Sequence, residues 1–262
     1  MPTPLSADAI DTAARILLAR RHSGQPGARL PAECRPSDLA SALAIQQSVS
    51  ELMQDEVAAW KCGMPAADKW VLAPIYARSV QRGGQACAVW TRNNLARIEP
   101  ELAFVLGQDL PARAAPYTPS EVDAAIARTH LALELIDTRY SEPEQASFAE
   151  HLADGLFNQG LYLGPVVDGE LARRCAGMDI VLSVAGEPDV LWAGQHPAGN
   201  PRAPLYWLAE FLRNRGQGLR AGQAVITGSY AGSPDVPLNT KIKVRFGALG
   251  DLRAAFTART QG

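Results

Sequence analysis

Arg97-Ile98-Glu99-Pro100-Glu101-Leu102-Ala103-Phe104-Val105-Leu106 is the stretch whose alternation decides the fold class. Side chains of a strand alternate between its two faces. Ile98, Leu102, Phe104 and Leu106 therefore share one face, and Glu99, Glu101, Ala103 and Val105 the other. Two carboxylates aimed the same way from a partly apolar strand repel each other and resist desolvation. A divalent cation between them removes both costs; an exposed strand face is the alternative. Pro100 cannot donate to a ladder, so it predicts an edge strand or a bulge. The chain carries its own control: Glu142-Pro143-Glu144 repeats the spacing among Ser141, Gln145 and Ser147, with no apolar strand around it, and reads as a solvated turn.

Leu131-Ala132-Leu133-Glu134-Leu135-Ile136-Asp137 is a nearly continuous apolar run with one glutamate in its middle. A central strand buried on both faces has this composition. Glu134 is then costly unless it is paired or coordinated. An ion pair with Arg139 or Arg97 would satisfy it, as would a third place in a carboxylate cluster with Glu99 and Glu101.

Around these strands the spacing predicts a helix over 5–21 capped by Ser6, and a second near 38–55 capped by Ser37. Residues 58–65 form a short strand carrying Lys61, either a solvated lysine or one facing an anionic pocket. Val71 to Tyr76 and Ala86 to Trp90 read as strands broken by Arg82-Gly83-Gly84. Thr118-Pro119-Ser120-Glu121 opens a helix through a capping box. Residues 141–151 form a polar loop. Strands follow at 161–164, 178–184 and 223–227, a helix at 205–215, and a closing hairpin at 242–246 and 252–256. The sum is a mixed α/β, β-rich fold, divided into an N-terminal helical or cap region at 1–80 and a β-rich metal-binding catalytic domain at 81–262.

Composition narrows the function. Of the 262 residues 47% are apolar, enough for a sizeable core. A net charge of −2 and a pI near 6.1 leave no electrostatic footprint for nucleic acid. No run approaches the length of a membrane span, and Met1-Pro2-Thr3-Pro4 opens no secretory signal. Cys34, Cys62, Cys87 and Cys175, with His22, His130, His151 and His196, are too scattered for a zinc site, and the cysteines form no disulfide framework. A reduced, cytoplasmic protein is expected.

The order of landmarks then becomes informative. Lys61 with Gly63, Glu99-Pro100-Glu101-Leu102-Ala103-Phe104, Ala132-Leu133-Glu134-Leu135-Ile136-Asp137 and Thr227-Gly228-Ser229 follow one another at intervals that resemble the fumarylacetoacetate hydrolase superfamily. The likeness is to the branch of 2-oxopent-4-enoate hydratases and 4-oxalocrotonate decarboxylases and includes the approach at 216–223. It implies a catalytic-domain-like β fold behind a smaller helical N-terminal part. It implies a Mg²⁺ or Mn²⁺ site built by Glu99, Glu101 and Glu134, hard oxygen ligands that suit those ions. Lys61 matches the active-site lysine, and Thr227, Gly228 and Ser229 match the turn that holds a substrate carboxylate. Two departures accompany the match. Trp70 to Tyr76 lacks the acid of the hydratases' Pro-Asp-Phe-Gly-like segment. Ala153-Asp154-Gly155-Leu156-Phe157-Asn158-Gln159 lacks the serine of their Ala-Asp-Asn-Ala-Ser segment, where Asn158 or Gln159 stands in.

The implied activity is metal-dependent hydration of a 2-hydroxy-2,4-dienoate through its 2-oxo tautomer, a step of aromatic catabolism, with Lys61 and Asn158 as catalytic groups. Decarboxylation of a vinylogous 2-oxo acid and hydrolysis of a C–C bond use the same kind of site, and a non-catalytic partner subunit is the third reading. The resemblance also implies a homo-oligomer and admits a complex with a pathway decarboxylase or hydratase.

Overall fold

The computed structural model describes residues 4–83 and 86–260. Gly84 of the expected glycine break and the first three residues lie outside them. Helix α1 (Ala7–Ser23) starts where Ser6 Oγ accepts from the Ala9 amide at 3.2 Å and ends at Gly24, whose φ of +66° suits a residue without Cβ. Helix α2 (Leu39–Met53) packs beside it. Its cap is Asp38 rather than Ser37: Asp38 Oδ1 accepts from the Ser41 amide at 2.7 Å, and the Ser41 hydroxyl closes a capping box.

Strands β1 (Val57–Cys62), β2 (Leu72–Tyr76), β3 (Val80–Arg82), β4 (Cys87–Val89) and β5 (Leu95–Leu106) come next. Helix α3 (Pro119–Ala125) has the expected Thr118/Glu121 box and runs into β6 (Ile126–Ile136). The expected polar loop at 141–151 instead runs into helix α4 (Phe148–Ala153), opened by a third capping box in which Ser147 Oγ accepts from the Glu150 amide. Glu142 and Glu144 are exposed beside it, as a solvated turn requires. Then come β7 (Asn158–Val167), the short α5 (Gly169–Arg173), β8 (Gly177–Val184), β9 (Val190–Gln195) and α6 (Ala203–Asn214). The chain finishes with β10 (Ala224–Ile226), β11 (Asp235–Pro237) and the hairpin β12 (Lys241–Phe246) with β13 (Gly250–Ala258).

The main sheet has the order β2-β1-β10-β5-β6-β7-β3, with β11 also on β5. A second sheet has the order β4-β13-β12-β8-β9. Strand β2 at one side of the main sheet lies against β7 near the other, so the sheet curls. Its inner face is filled by small and branched residues, among them Ala59, Ala103, Val105, Ala132, Leu161 and Ile226. The outer face of β5, with Ile98, Leu102, Phe104 and Leu106, joins the larger core shared with the second sheet and the helices. Each such buried side chain contributes about 1.5–3 kcal/mol. The helical flank ends at Met53. Strands β1 and β2, which the reading of the sequence grouped with the N-terminal part, are hydrogen-bonded into the sheet that carries Glu99 and Glu134.

Strand β5 is interior, paired with β6 along nearly its whole length. On its other side β10 pairs with residues 103–105 and β11 with 95–97, which leaves a gap at Pro100. There the Pro100 carbonyl accepts from the Tyr230 amide at 3.0 Å. Because N and C=O of a strand residue point to the same side, the missing N–H faces this gap, so the strand is an edge only locally.

Candidate active site

Antiparallel pairing sets Glu99 directly opposite Glu134, and alternation puts Glu101 on the same inner face. One carboxylate oxygen from each of the three lies within 4.8 Å of the others. Glu134 is fully buried and Glu101 nearly so. Its expected arginine partners are engaged elsewhere, Arg97 by Asp235 and Arg139 by Asp154. Lys61 takes that place: it projects inward from β1, and its Nζ lies 2.7 Å from Glu134 Oε1 and donates to the Leu156 carbonyl at 3.0 Å. Two of its three N–H donors are thereby used.

The electrostatics follow from this crowding. Burial first, then the charges of Glu134 and Glu99, push Glu101 well above the usual carboxylate range, against the pull of the Gly228 amide and Lys61. Glu99 is raised by burial and by Glu134, with Lys61 and the Ser233 hydroxyl opposing; Ser233 Oγ donates to Glu99 Oε1 at 2.5 Å. Burial would lower Lys61, but the Glu134 and Glu99 carboxylates outweigh it and hold the ammonium above its ordinary value.

Strand β10 leads directly into Thr227, which is fully buried. The Gly228 amide donates to Glu101 Oε2 at 2.5 Å. Gly228 has φ +133°, and a Cβ there would come within 2.7 Å of Pro197 Cγ, so only glycine fits between the carboxylate and the 196–198 loop. His196 packs on Tyr230, and burial lowers its pKa to about 4, so it is neutral at physiological pH. The Ala198 amide donates to His196 Nδ1, so the ring proton sits on Nε2 and points at Thr227 Oγ1, 3.3 Å away. The Thr227 hydroxyl proton is left for another acceptor.

These groups line a cavity of about 270 Å³ whose remaining walls are Cys62, Gly63, Met64, Val71, Pro197 and Ala198. Lys61, Glu99, Glu101, Glu134, Thr227 and Gly228 all line it; Asn158 and Ser229 do not. Asn158 is buried behind Glu134 and donates to its Oε1 at 2.8 Å, so its contact is with a carboxylate rather than with the cavity. Ser229 Oγ turns into its own loop and donates to the Gly232 carbonyl at 2.7 Å. His130 Nδ1 donates to the Gly164 carbonyl and His151 Nε2 to the Pro143 carbonyl, and both rings lie outside the cavity. Reading the sequence missed Ser233, His196 and the Pro197-Ala198 wall. Each follows a tight turn or stands far from its contact in the chain, and none carries a local pattern.

The donor set fits a hard divalent cation. Glu134 Oε2 is buried without a hydrogen-bond partner among the described residues. Three carboxylates against one ammonium leave two negative charges, the amount such an ion balances. Oxygen-only ligands suit Mg²⁺, Mn²⁺ or Ca²⁺ rather than zinc or copper.

A family model described as fumarylacetoacetate (FAA) hydrolase C-terminal matches residues 46–257. The chain belongs to the fumarylacetoacetate hydrolase family. It is accordingly an enzyme, and the family stretch contains the carboxylate cluster, Lys61 and Thr227. The chain is 28% identical over 260 residues to a 2-keto-4-pentenoate hydratase of Burkholderia vietnamiensis (strain G4 / LMG 22486), covering 94% of this chain and 96% of the relative. It is 30% identical to a 4-oxalocrotonate decarboxylase of a Pseudomonas species, over 57% of this chain and 55% of the relative. The solved 4-oxalocrotonate decarboxylase from Pseudomonas putida G7, complexed with magnesium and adipate, superposes with a TM-score of 0.78 at 19% identity, covering 98% of this chain and all of that one. The last similarity establishes the shared fold.

Proposed function

We propose that this member of the fumarylacetoacetate hydrolase family is a divalent-metal-dependent hydratase that adds water to a 2-hydroxy-2,4-dienoate through its 2-oxo tautomer. Glu99, Glu101 and Glu134 would hold Mg²⁺ or Mn²⁺. That ion supplies a Lewis acid that polarises a 2-oxo group and offsets charge developing on its oxygen. The third N–H of Lys61 would hold the substrate carboxylate or deliver a proton, and the Thr227 hydroxyl would donate to the same carboxylate end. In the reaction the dienol moves a proton from its 2-hydroxyl to C5. Water oxygen then joins C4 and a proton reaches C3, giving a 4-hydroxy-2-oxo acid. Asn158 acts behind this, by orienting Glu134.

The observation that carries hydration over decarboxylation is the cavity's charge. Among the described residues Lys61 is the one cation that lines it, and its apolar walls include Met64, Val71, Pro197 and Ala198. A substrate such as 4-oxalocrotonate, with a carboxylate at each end, needs a second partner there. A monocarboxylate with an apolar tail does not. C–C hydrolysis is less well served, because no histidine among the described residues lines the cavity to act as base. The test is loss of dienoate ultraviolet absorbance with Mg²⁺ present, with product masses taken across a panel of 2-oxo acids. A gain of water supports the proposal. Loss of carbon dioxide from a dicarboxylate, with the monocarboxylate untouched, overturns it.

A further inference from the structure

The turn at 154–158 supplies two contacts that the site depends on. Its Leu156 carbonyl accepts from Lys61 Nζ at 3.0 Å, and Asn158 Nδ2 donates to Glu134 Oε1 at 2.8 Å. Its backbone is unusual: Gly155, Leu156 and Phe157 follow one another at φ +88°, +52° and +66°. Two successive non-glycine residues in the left-handed region need support from outside the turn. Arg21, in the last turn of α1, supplies part of it, beside the Asp137 amide that donates to the Phe157 carbonyl at 2.8 Å. Its Nη1 donates to the Asn158 carbonyl at 3.0 Å and its Nη2 to the Asp154 carbonyl at 2.7 Å, so one planar guanidinium spans both ends of the turn. The neighbouring Arg139 takes the Asp154 carboxylate and, at 3.3 Å, shares the Asp154 carbonyl, while Arg21 reaches across the turn to the Asn158 carbonyl as well.

Arg21 is itself held. Its own carbonyl accepts from Trp90 Nε1 at 3.0 Å, and the Trp90 amide donates to Gln159 Oε1 at 2.8 Å, next to Asn158 in the chain. Although burial lowers its pKa to about 10, the guanidinium is charged at neutral pH. Arg21 does not line the active-site cavity, and α1 precedes the stretch that matches the family model.

We propose that Arg21 is a positioning residue, which fixes the 154–158 turn and through it the places of Lys61 and Glu134. This rests on the reading above that those two groups work at the reacting centre. Steady-state kinetics of the full chain with Mg²⁺ and a 2-hydroxy-2,4-dienoate would compare wild type with R21A, R21K and R20A. Arg20 is the control, since it anchors the same helix through the Arg139 carbonyl without touching the turn. R21A should lose kcat on the order of 10²-fold, the scale for a small misplacement of reacting groups, with KM little changed. R21K should remain folded yet recover little, because one ammonium cannot span two carbonyls. Millimolar guanidinium should restore part of the R21A rate, and R20A should keep its kcat.

Wild-type kcat in R21A or R21K would overturn the proposal, as would an equal loss in R20A with no guanidinium rescue. If R21A does not fold, R21K decides. If the wild type turns over no dienoate, the functional reading has failed on its own. Hydrogen exchange across 154–158 then tests the clamp: faster exchange in R21A but not R20A supports it, and unchanged exchange overturns it.

Discussion

Glu134 shares Oε1 between Lys61 and Asn158 and keeps Oε2 without a hydrogen-bond partner among the described residues. That asymmetry separates the roles of the surrounding residues by mutation. E134Q and E101Q should each weaken Mg²⁺ binding by at least about 10-fold, the lower bound seen even for outer-shell partners of metal ligands. Isothermal calorimetry would measure it. K61M should act differently. It removes a positive charge beside the cluster, so Mg²⁺ should bind no weaker while turnover is lost. Without the ion its folding stability should fall by about 3–5 kcal/mol, the cost of leaving a buried carboxylate unpaired. Urea melts in chelator would show the deficit. Glu99 and Glu101 were readable from sequence because alternation puts them on one face, and Glu134 because it stands alone in an apolar run. Asn158 and Ser229 were not, because their directions depend on left-handed turns that sequence does not display. Nor was Arg21, whose acceptors lie more than a hundred residues along the chain.

Among the elements, β5, β6 and the Thr118-capped helix follow the sequence closely, since each has a strong local pattern. Helix α4 was hidden by its polar surroundings, although Ser147 and Glu150 carry the capping-box spacing. S147A should cost about 1 kcal/mol in urea unfolding, the usual worth of such a cap. Pro100 illustrates the limit of a local rule. It does sit where a strand lacks a neighbour, but in the interior of the sheet, because β10 and β11 stop on either side of it. The β10 exit is the more sensitive element. G228A would place a Cβ against Pro197 at a φ that L-residues avoid, at a cost of about 1–3 kcal/mol. It would also disturb the amide that holds Glu101, so Mg²⁺ affinity should fall together with stability.

For the whole molecule, the mixed fold and the family were legible, but the curl of the main sheet was not, because it is set by pairings between distant strands. No described helix is long and apolar enough to cross a membrane. The buried carboxylates also give the folded protein a pH signature. The ordinary carboxylate value is 4.5, and Glu99 and Glu101 are raised above it in the fold, Glu101 most. A raised carboxylate favours the folded state when protonated, so its contribution is present at low pH and lost as pH rises through the folded values. A divalent cation needs the ionised forms and offsets that loss. The increase in melting temperature produced by Mg²⁺ over chelator should therefore grow with pH across this window. Taking the difference cancels the opposite slope from His196, whose depressed pKa destabilises the fold as pH falls from 6.5 towards 4. A Mg²⁺ effect independent of pH would contradict the assignment of those two carboxylates to the ion.

The face-to-face register of Glu99 and Glu134 bears on how such a chain can change over generations. A slip of one residue in either strand would swing a carboxylate from the interior to the opposite side while leaving a strand of nearly the same composition. Length variation among descendants should accordingly collect in connecting loops, because an odd-numbered insertion inside this ladder would turn the carboxylates into the apolar core and erase the chemistry at a stroke.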